Sequence, residues 1–316
     1  MKIQDTVIAI TGGAQGLGAA MALSLAKKGA HIALIDMNAD RLNETKKLCE
    51  ELGVNAKSYV CNVAKEEDVE STFSSIINDF GQLDGLVNNA GILRDGLLAK
   101  VKEGNVVSKL SLQQWQAVID VNLTGVFLCG REAAIKMIET KRQGCIINIS
   151  SVARAGNIGQ SNYSAAKAGV VALSTTWAKE LARFGIRAMS VAPGFMATEM
   201  TAGMKPEAQD HMKKVIPLGK VGQPDHIEQT VVHIFENDYL TDIAKRSGFP
   251  GLARYVASIL KNLPKGSNIP WHRVINSKGK ISFPPNSHMY HQQIALLKKE
   301  GIHFSDTDTV PKHFGW

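Results

Sequence analysis

Tyr163 and Lys167 stand four residues apart in Tyr163-Ser-Ala-Ala-Lys167, a spacing that puts a phenol and an ammonium on one face of a helix. A free tyrosine titrates at about 10 and is a weak base near neutrality. A lysine charge held beside it favours the phenolate and brings proton transfer within reach at neutral pH. Such a pair also fits an ordinary surface helix. Its meaning rests on the elements that would position it and on what else they bring to the same place.

Residues 6–11 form an apolar run, the pattern of a buried strand, and Gly12-Gly13-Ala14-Gln15-Gly16-Leu17-Gly18 follows directly. An apolar helical pattern over 19–26 comes next. Strand, glycine-rich turn and helix together let backbone N–H groups and a helix N-terminus approach a pyrophosphate. The next strand, 31–35, ends in Asp36, where a carboxylate would accept from both hydroxyls of an adenosine ribose and repel a 2′-phosphate. No Arg or Lys adjoins Asp36 in sequence, so NAD is expected and NADP is less favoured. Further strands are predicted at 57–61, 83–87, 145–149 and 187–192, and helices at 39–52, 66–80, 112–140, 163–184 and 225–236. Strands separated by helices predict an α/β fold, a doubly wound parallel Rossmann sheet, with ligands beyond the carboxyl ends of the strands. Asn62-Val63, Asn88-Asn89-Ala90-Gly91, Ser150 and Pro193-Gly194 all fall at those ends.

An apolar fraction of 44% in 316 residues is enough for a sizeable core, in one large domain or two ordinary ones. There is no signal-peptide pattern at the start and no apolar run fit to span a bilayer, so no membrane partner is expected. The cysteines, Cys49, Cys61, Cys129 and Cys145, have neither metal-ligand nor paired spacing. No metal site and a reduced, cytoplasmic location are the expectations. The net charge of +7 is unevenly placed. Residues 1–241 hold 25 Lys/Arg and 25 Asp/Glu, whereas 242–316 hold 11 and 4. That asymmetry points to a second module, with either an anionic partner or a merely solvated basic surface.

Residues 1–241 resemble the short-chain dehydrogenase/reductase family, nearest its 3-oxoacyl-carrier-protein reductase group. The resemblance is carried by Thr11-Gly12-x-x-x-Gly16-x-Gly18, Asn88-Asn89-Ala90-Gly91, Asn122, Ser150, Tyr163-x-x-x-Lys167 and Pro193-Gly194. It implies Tyr163 as general acid/base and Lys167 as its pKa depressant and ribose ligand. Ser150, thirteen residues before Tyr163, matches the serine that hydrogen-bonds the substrate oxygen, while Ser151 falls one place late. Asn122 matches the holder of a relay water, and Thr198 the contact to the nicotinamide carboxamide. Gly12, Gln15, Gly16, Leu17, Gly18, Asp36, Asn62, Val63, Asn89, Ala90, Gly91, Pro193, Gly194 and Met196 complete the implied cofactor site. The implied substrate is a small carbonyl or alcohol, or a 3-oxoacyl compound, and the implied assembly a homo-oligomer. Two departures qualify the match: Asn62 stands where many relatives bear Asp, and segment 94–110 is longer than usual. Its pattern predicts a hairpin, either a specificity element at the site's rim or a surface excursion.

The family's final strand, ending in a Gly-Gly pair, does not follow residue 241, which predicts a Rossmann domain lacking its last strand. Instead, residues 242–260 predict a helix, a turn at 247–251 and a second helix, a small helix-turn-helix, winged-helix-like C-terminal module. Residues 242–316 resemble the alkyltransferase-like proteins, relatives of O6-alkylguanine-DNA alkyltransferases. The carrying residues are Ala253-Arg254-x-Val256, Leu263-Pro264-x-Gly266 and Pro270-Trp271-His272-Arg273-Val274-Ile275-Asn276-Ser277-x-Gly279. Where alkyltransferases have cysteine this chain has Trp271, and 242–316 contain no cysteine, so the nucleophile for alkyl transfer is missing. The resemblance implies recognition instead. Trp271 would line a pocket for a flipped alkylated guanine, Arg254 would fill the vacated stack, and basic residues such as Arg273 would meet phosphates of duplex DNA. Two functional readings stand: an NAD(P)-dependent oxidoreductase with a non-catalytic tail, or a DNA-lesion binder with an inert dehydrogenase half. The helix predicted at 225–236 would, on one hypothesis, also support the DNA module.

Overall fold

The apolar, β-branched runs of the sequence become parallel strands buried on both faces, the setting in which a strand needs no polar alternation. The computed structural model describes residues 1–197, 216, 219–238, 281, 283, 287–299 and 302. Strands β1 (Val7–Thr11), β2 (His31–Asp36), β3 (Ala56–Val60) and β4 (Gly85–Asn88) belong to one sheet. So do β7 (Gly144–Ile149) and β8 (Ile186–Val191). Their order is β3-β2-β1-β4-β7-β8, and every pairing is parallel. Reversal of strand order between β1 and β4 opens the crevice at the carboxyl ends where such folds bind ligands.

The helices joining these strands are α1 (Gly16–Ala26), α2 (Ala39–Glu50), α3 (Glu66–Phe80), α4 (Leu112–Ile119), α5 (Gly125–Glu139), α6 (Ser161–Leu181) and α7 (Pro224–Glu236). Local chemistry explains their limits. Ser111 and Gln114 form a reciprocal capping box at the start of α4, and Gly81 ends α3 in the left-handed conformation at φ 74°. The helix expected over 112–140 is interrupted by a π-turn, Asp120–Thr124, which contains Asn122. Such turns concentrate at functional sites. The hairpin expected within 94–110 is present as β5 (Ala99–Lys102) and β6 (Asn105–Lys109), antiparallel with a bulge between Lys100 and Val101.

Among the described residues β8 pairs on one side only, with β7. Arg187 on β8 donates to the carbonyls of Ile234 at 2.9 Å and Phe235 at 3.2 Å, the last turn of α7, where helix carbonyls lack partners. Phe235 is fully buried over Gly85, whose replacement Cβ would lie 2.7 Å from the ring. The apolar stripe of α7 is thus committed to this sheet. The chain divides into two units, Met1–Asp242 and Ile243–Trp316. In the second, α8 (His288–Lys299) carries Tyr290 in a small cluster with Ile281 and Phe283. The expected helix-turn-helix at 242–260, and with it Thr198, Arg254, Trp271 and Arg273, lie outside the described residues. No helix among the described residues is long and apolar enough to cross a membrane.

Candidate active site

The glycine turn joins β1 to α1 and is drawn tight by its neighbours. Gly12 has φ +66°, and Gly18 sits so close beneath it that a Cβ there would lie 1.9 Å from the Gly12 carbonyl oxygen. Thr11 Oγ1 accepts from the backbone N–H groups of Asn89 and Ala90, each at 3.0 Å. Asn89 Nδ2 returns bonds to the carbonyls of Thr11 at 3.1 Å and Gly12 at 3.2 Å. These contacts weld Asn89-Ala90-Gly91, at the end of β4, to the turn. Gly16, at φ +57°, faces open space, and Gln15 at the helix cap gives α1 no side-chain acceptor. The first N–H groups of α1 therefore keep their positive end for an anion, and the cradle fits a dinucleotide pyrophosphate.

Asp36, at the end of β2, lies beside the same turn. Its Oδ2 accepts from Ala14 N–H at 3.3 Å and its Oδ1 from Asn38 N–H at 3.1 Å. A carboxylate has about four acceptor positions, so two remain for ribose hydroxyls. Sequence adjacency missed Arg41: from the first turn of α2 its guanidinium donates to Gln15 Oε1, bringing a cation to the glycine turn. Asn62 lies in the turn between β3 and α3, its Oδ1 accepting from Ala64 N–H at 3.1 Å, and Val63 is buried against Gly125. Pro193 and Met196 are buried and Gly194 is exposed with open space around it. Met196 bridges to Gly222.

Tyr163 and Lys167 lie on the first turns of α6, as their spacing requires. Lys167 is 3% exposed, its Nζ donates to the Ile149 carbonyl at 2.7 Å, and it lies 5.6 Å from the centre of the Tyr163 ring. Burial lowers its pKa from 10.5 to about 8. Burial raises the Tyr163 pKa, the Ser151 hydroxyl lowers it by hydrogen bonding, and the Asp95 charge raises it. The Lys167 ammonium is anchored on a backbone carbonyl at the ring's side. The phenol meanwhile loses water.

The expectation for Ser150 is corrected. Ser150 is 2% exposed and its Oγ donates to the Lys167 carbonyl at 2.7 Å. Its backbone continues β7, with its N–H on the Val191 carbonyl at 2.7 Å. Side chains alternate along extended backbone, so consecutive serines face opposite sides. Ser150 faces the backbone of α6, and Ser151 faces the Tyr163 phenol. The Ser-Ser pair was the signal: of two consecutive serines on extended backbone, the one that faces the phenol is Ser151, which counting alone passed over.

Asn122 is fully buried in the π-turn. Its Oδ1 accepts from Ile92 N–H at 2.8 Å and its Nδ2 donates to the Ile92 carbonyl at 3.0 Å. The side chain thus braces the loop after Gly91. All four cysteines are buried and free, and among the described residues no His, Cys, Asp and Glu gather as a metal site.

Comparison with known proteins places this geometry. Residues 6–209 match the family described as short chain dehydrogenase, and residues 239–302 match the DNA-binding domain family of 6-O-methylguanine DNA methyltransferase. The 3-oxoacyl-[acyl-carrier-protein] reductase FabG of Thermotoga maritima is 39% identical over 244 residues, 76% of this chain and 95% of its own. The human 3-oxoacyl-[acyl-carrier-protein] reductase is 41% identical over 238 residues, 75% of this chain and 94% of its own. A solved NAD+-bound xylitol dehydrogenase superposes with a TM-score of 0.68 at 30% identity, over 77% of this chain and 97% of that one.

Proposed function

We propose, from the premise that this chain belongs to the short-chain dehydrogenase family, that it interconverts a 3-oxoacyl-type carbonyl and its secondary alcohol with NAD(H). It is an NAD(P)-dependent oxidoreductase acting on a carbonyl or alcohol. The finer reading rests on one juxtaposition: the Tyr163 phenol between the Ser151 hydroxyl and buried Lys167, at the carboxyl end of β7. When bound, the nicotinamide supplies or accepts the hydride. Tyr163 donates its proton to the carbonyl oxygen in reduction and withdraws it in oxidation. Ser151 donates a hydrogen bond to the same oxygen, where negative charge develops. Lys167, held by Ile149, places a positive charge beside the proton donor. Asn122, through Ile92, sets the loop that follows Gly91.

For the cofactor, the glycine turn (Gly12, Gln15, Gly16, Leu17, Gly18) would hold the pyrophosphate, and Asp36 the ribose. Asn62 and Val63 would flank the adenine, with Asn89, Ala90, Gly91, Pro193, Gly194, Met196 and Thr198 toward the nicotinamide. Asp36 supports NAD over NADP, while Arg41 at Gln15 weakens that preference. The xylitol dehydrogenase likeness concerns an NAD+-bound protein and supports the same choice. The domain limits proposed are 1–241 and 242–316. An exposed apolar face on α5, with Phe127, Ile135 and Ile138, supports self-association. Four free thiols suit a reduced, cytoplasmic setting.

The test is reduction of an acetoacetyl thioester followed by NADH absorbance. Tyr163→Phe is expected to lose roughly 10²–10⁴-fold in kcat. A Tyr163→Phe protein as active as its parent would refute the reading.

A second activity is favoured by one observation, the match of residues 239–302 to a methyltransferase DNA-binding domain. Without a cysteine in 242–316, binding of duplex DNA with alkylated guanine is the chemistry left. A gel shift on an O6-methylguanine duplex, weakened by added salt and by Arg254→Ala, checks it. Equal affinity for lesion-bearing and plain duplex would count against recognition of the lesion.

A further inference from the structure

We infer that Asn162, the residue before Tyr163, is a positioning residue that fixes the catalytic phenol and couples it to the loop leading into the β5–β6 hairpin. Asn162 is fully buried, and its side chain makes three bonds. Its Oδ1 accepts from Tyr163 N–H at 2.8 Å. Its Nδ2 donates to the Arg94 carbonyl at 2.9 Å and the Gln114 carbonyl at 3.1 Å.

Each bond has a physical reason. The first N–H groups of a helix lack intrahelical acceptors, and Gln160, at the cap of α6, offers no side-chain cap. Asn162 satisfies the N–H of Tyr163 itself. Its amide then spans two other elements, the 92–98 loop at Arg94 and the first turn of α4 at Gln114. The same loops are zipped next to it. Gly96 N–H donates to the Gly159 carbonyl at 2.8 Å, and Gln160 Nε2 donates to Asp95 Oδ2 at 3.0 Å. Asp95 in turn lies close enough to act on the Tyr163 ionisation. A displacement of the hairpin base therefore reaches the backbone of Tyr163 through one amide side chain. Misplacement of a reacting group by about 1 Å can cost on the order of a hundredfold in rate.

This inference rests on Tyr163 being the proton donor, and the two fail differently. If Tyr163→Phe keeps full activity, the proposed function falls; if Tyr163→Phe is dead but Asn162→Ala is fully active, only the present inference falls. With an acetoacetyl thioester and NADH, Asn162→Ala is expected to lower kcat at least tenfold. The KM for NADH should stay within twofold, since Asn162 is fully buried with its side chain bonded to Tyr163, Arg94 and Gln114. The alkaline limb of kcat should also shift, which a purely structural role would not produce. Asn162→Asp keeps an acceptor for Tyr163 N–H while losing the amide donors, and should fall between parent and alanine variant. Should Asn162→Ala fail to fold, the aspartate variant decides alone. Parental kcat and pH profile per cofactor-titrated site, in either variant, would overturn the proposal.

Discussion

On the proposed reading the serine pair at the end of β7 divides its labour between stability and chemistry, and the two hydroxyls can be told apart by measurement. Ser151→Ala removes the hydroxyl beside the phenol and should lower kcat by about 10²–10³, the usual cost of one lost oxyanion donor. Ser150→Ala leaves the Lys167 carbonyl short of a buried donor, which should cost about 1–3 kcal/mol of stability. Its kcat per folded molecule should stay within a few-fold, so thermal unfolding and steady-state rates together separate the roles. Lys167 gives a pH signature. Its folded pKa of about 8 lies below the ordinary 10.5, so the protonated form is disfavoured by folding. Below pH 8 that cost is fully present, and stability is regained as pH rises from about 8 to 10.5. Reduction should run the other way. The raised tyrosine keeps its proton through neutrality, while kcat declines above about pH 8 as Lys167 loses its charge. Lys167→Arg should move that decline upward, and a kcat–pH profile of both proteins is the check.

Elements, unlike single side chains, were mostly legible from pattern. The run Val7–Thr11 followed by glycines announced β1 and its turn, because burial on both faces writes an apolar string. Glu66–Phe80 was marked by its amphipathic period and closed by Gly81. The break at Asp120–Thr124 was not legible, since the apolar period runs on through 112–140 and a π-turn has no composition of its own. Nor was the direction of Ser151, or the bond from Arg41 to Gln15, because facing is set by the strand's exit and by side-chain reach. The three bonds of Asn162 join residues far apart in sequence, and nothing at any one position announces them. One prediction belongs to the glycine turn as a unit. Gly18→Ala would thrust a Cβ to 1.9 Å from the Gly12 carbonyl oxygen, against backbone that cannot yield cheaply. NADH affinity, followed by fluorescence titration, should fall at least about tenfold.

The whole molecule joins a dehydrogenase unit, whose described sheet ends on β8, to a second unit beginning at Ile243. The last strand of a sheet is ordinarily a weak point. Here Arg187 fastens β8 to the end of α7, and Phe235 plugs the sheet over Gly85. The cofactor cradle, built from β1, β2 and β4, lies on the other side of the sheet order from that edge. NADH at a hundred times its Kd should therefore raise the unfolding free energy of the first unit by about 2.7 kcal/mol, visible as an upward Tm shift. Absence of any shift would mean that the cradle does not assemble. The hairpin carries a different kind of consequence. It is fastened at its base, by Arg94, Asp95 and Gly96, while Ala99–Lys102 and Asn105–Lys109 are exposed throughout. Drift in those outer residues leaves the bonds at the base untouched, so the two strands can change their surface without disturbing Asn162. The fold has thereby separated a fixed engine from an evolvable handle.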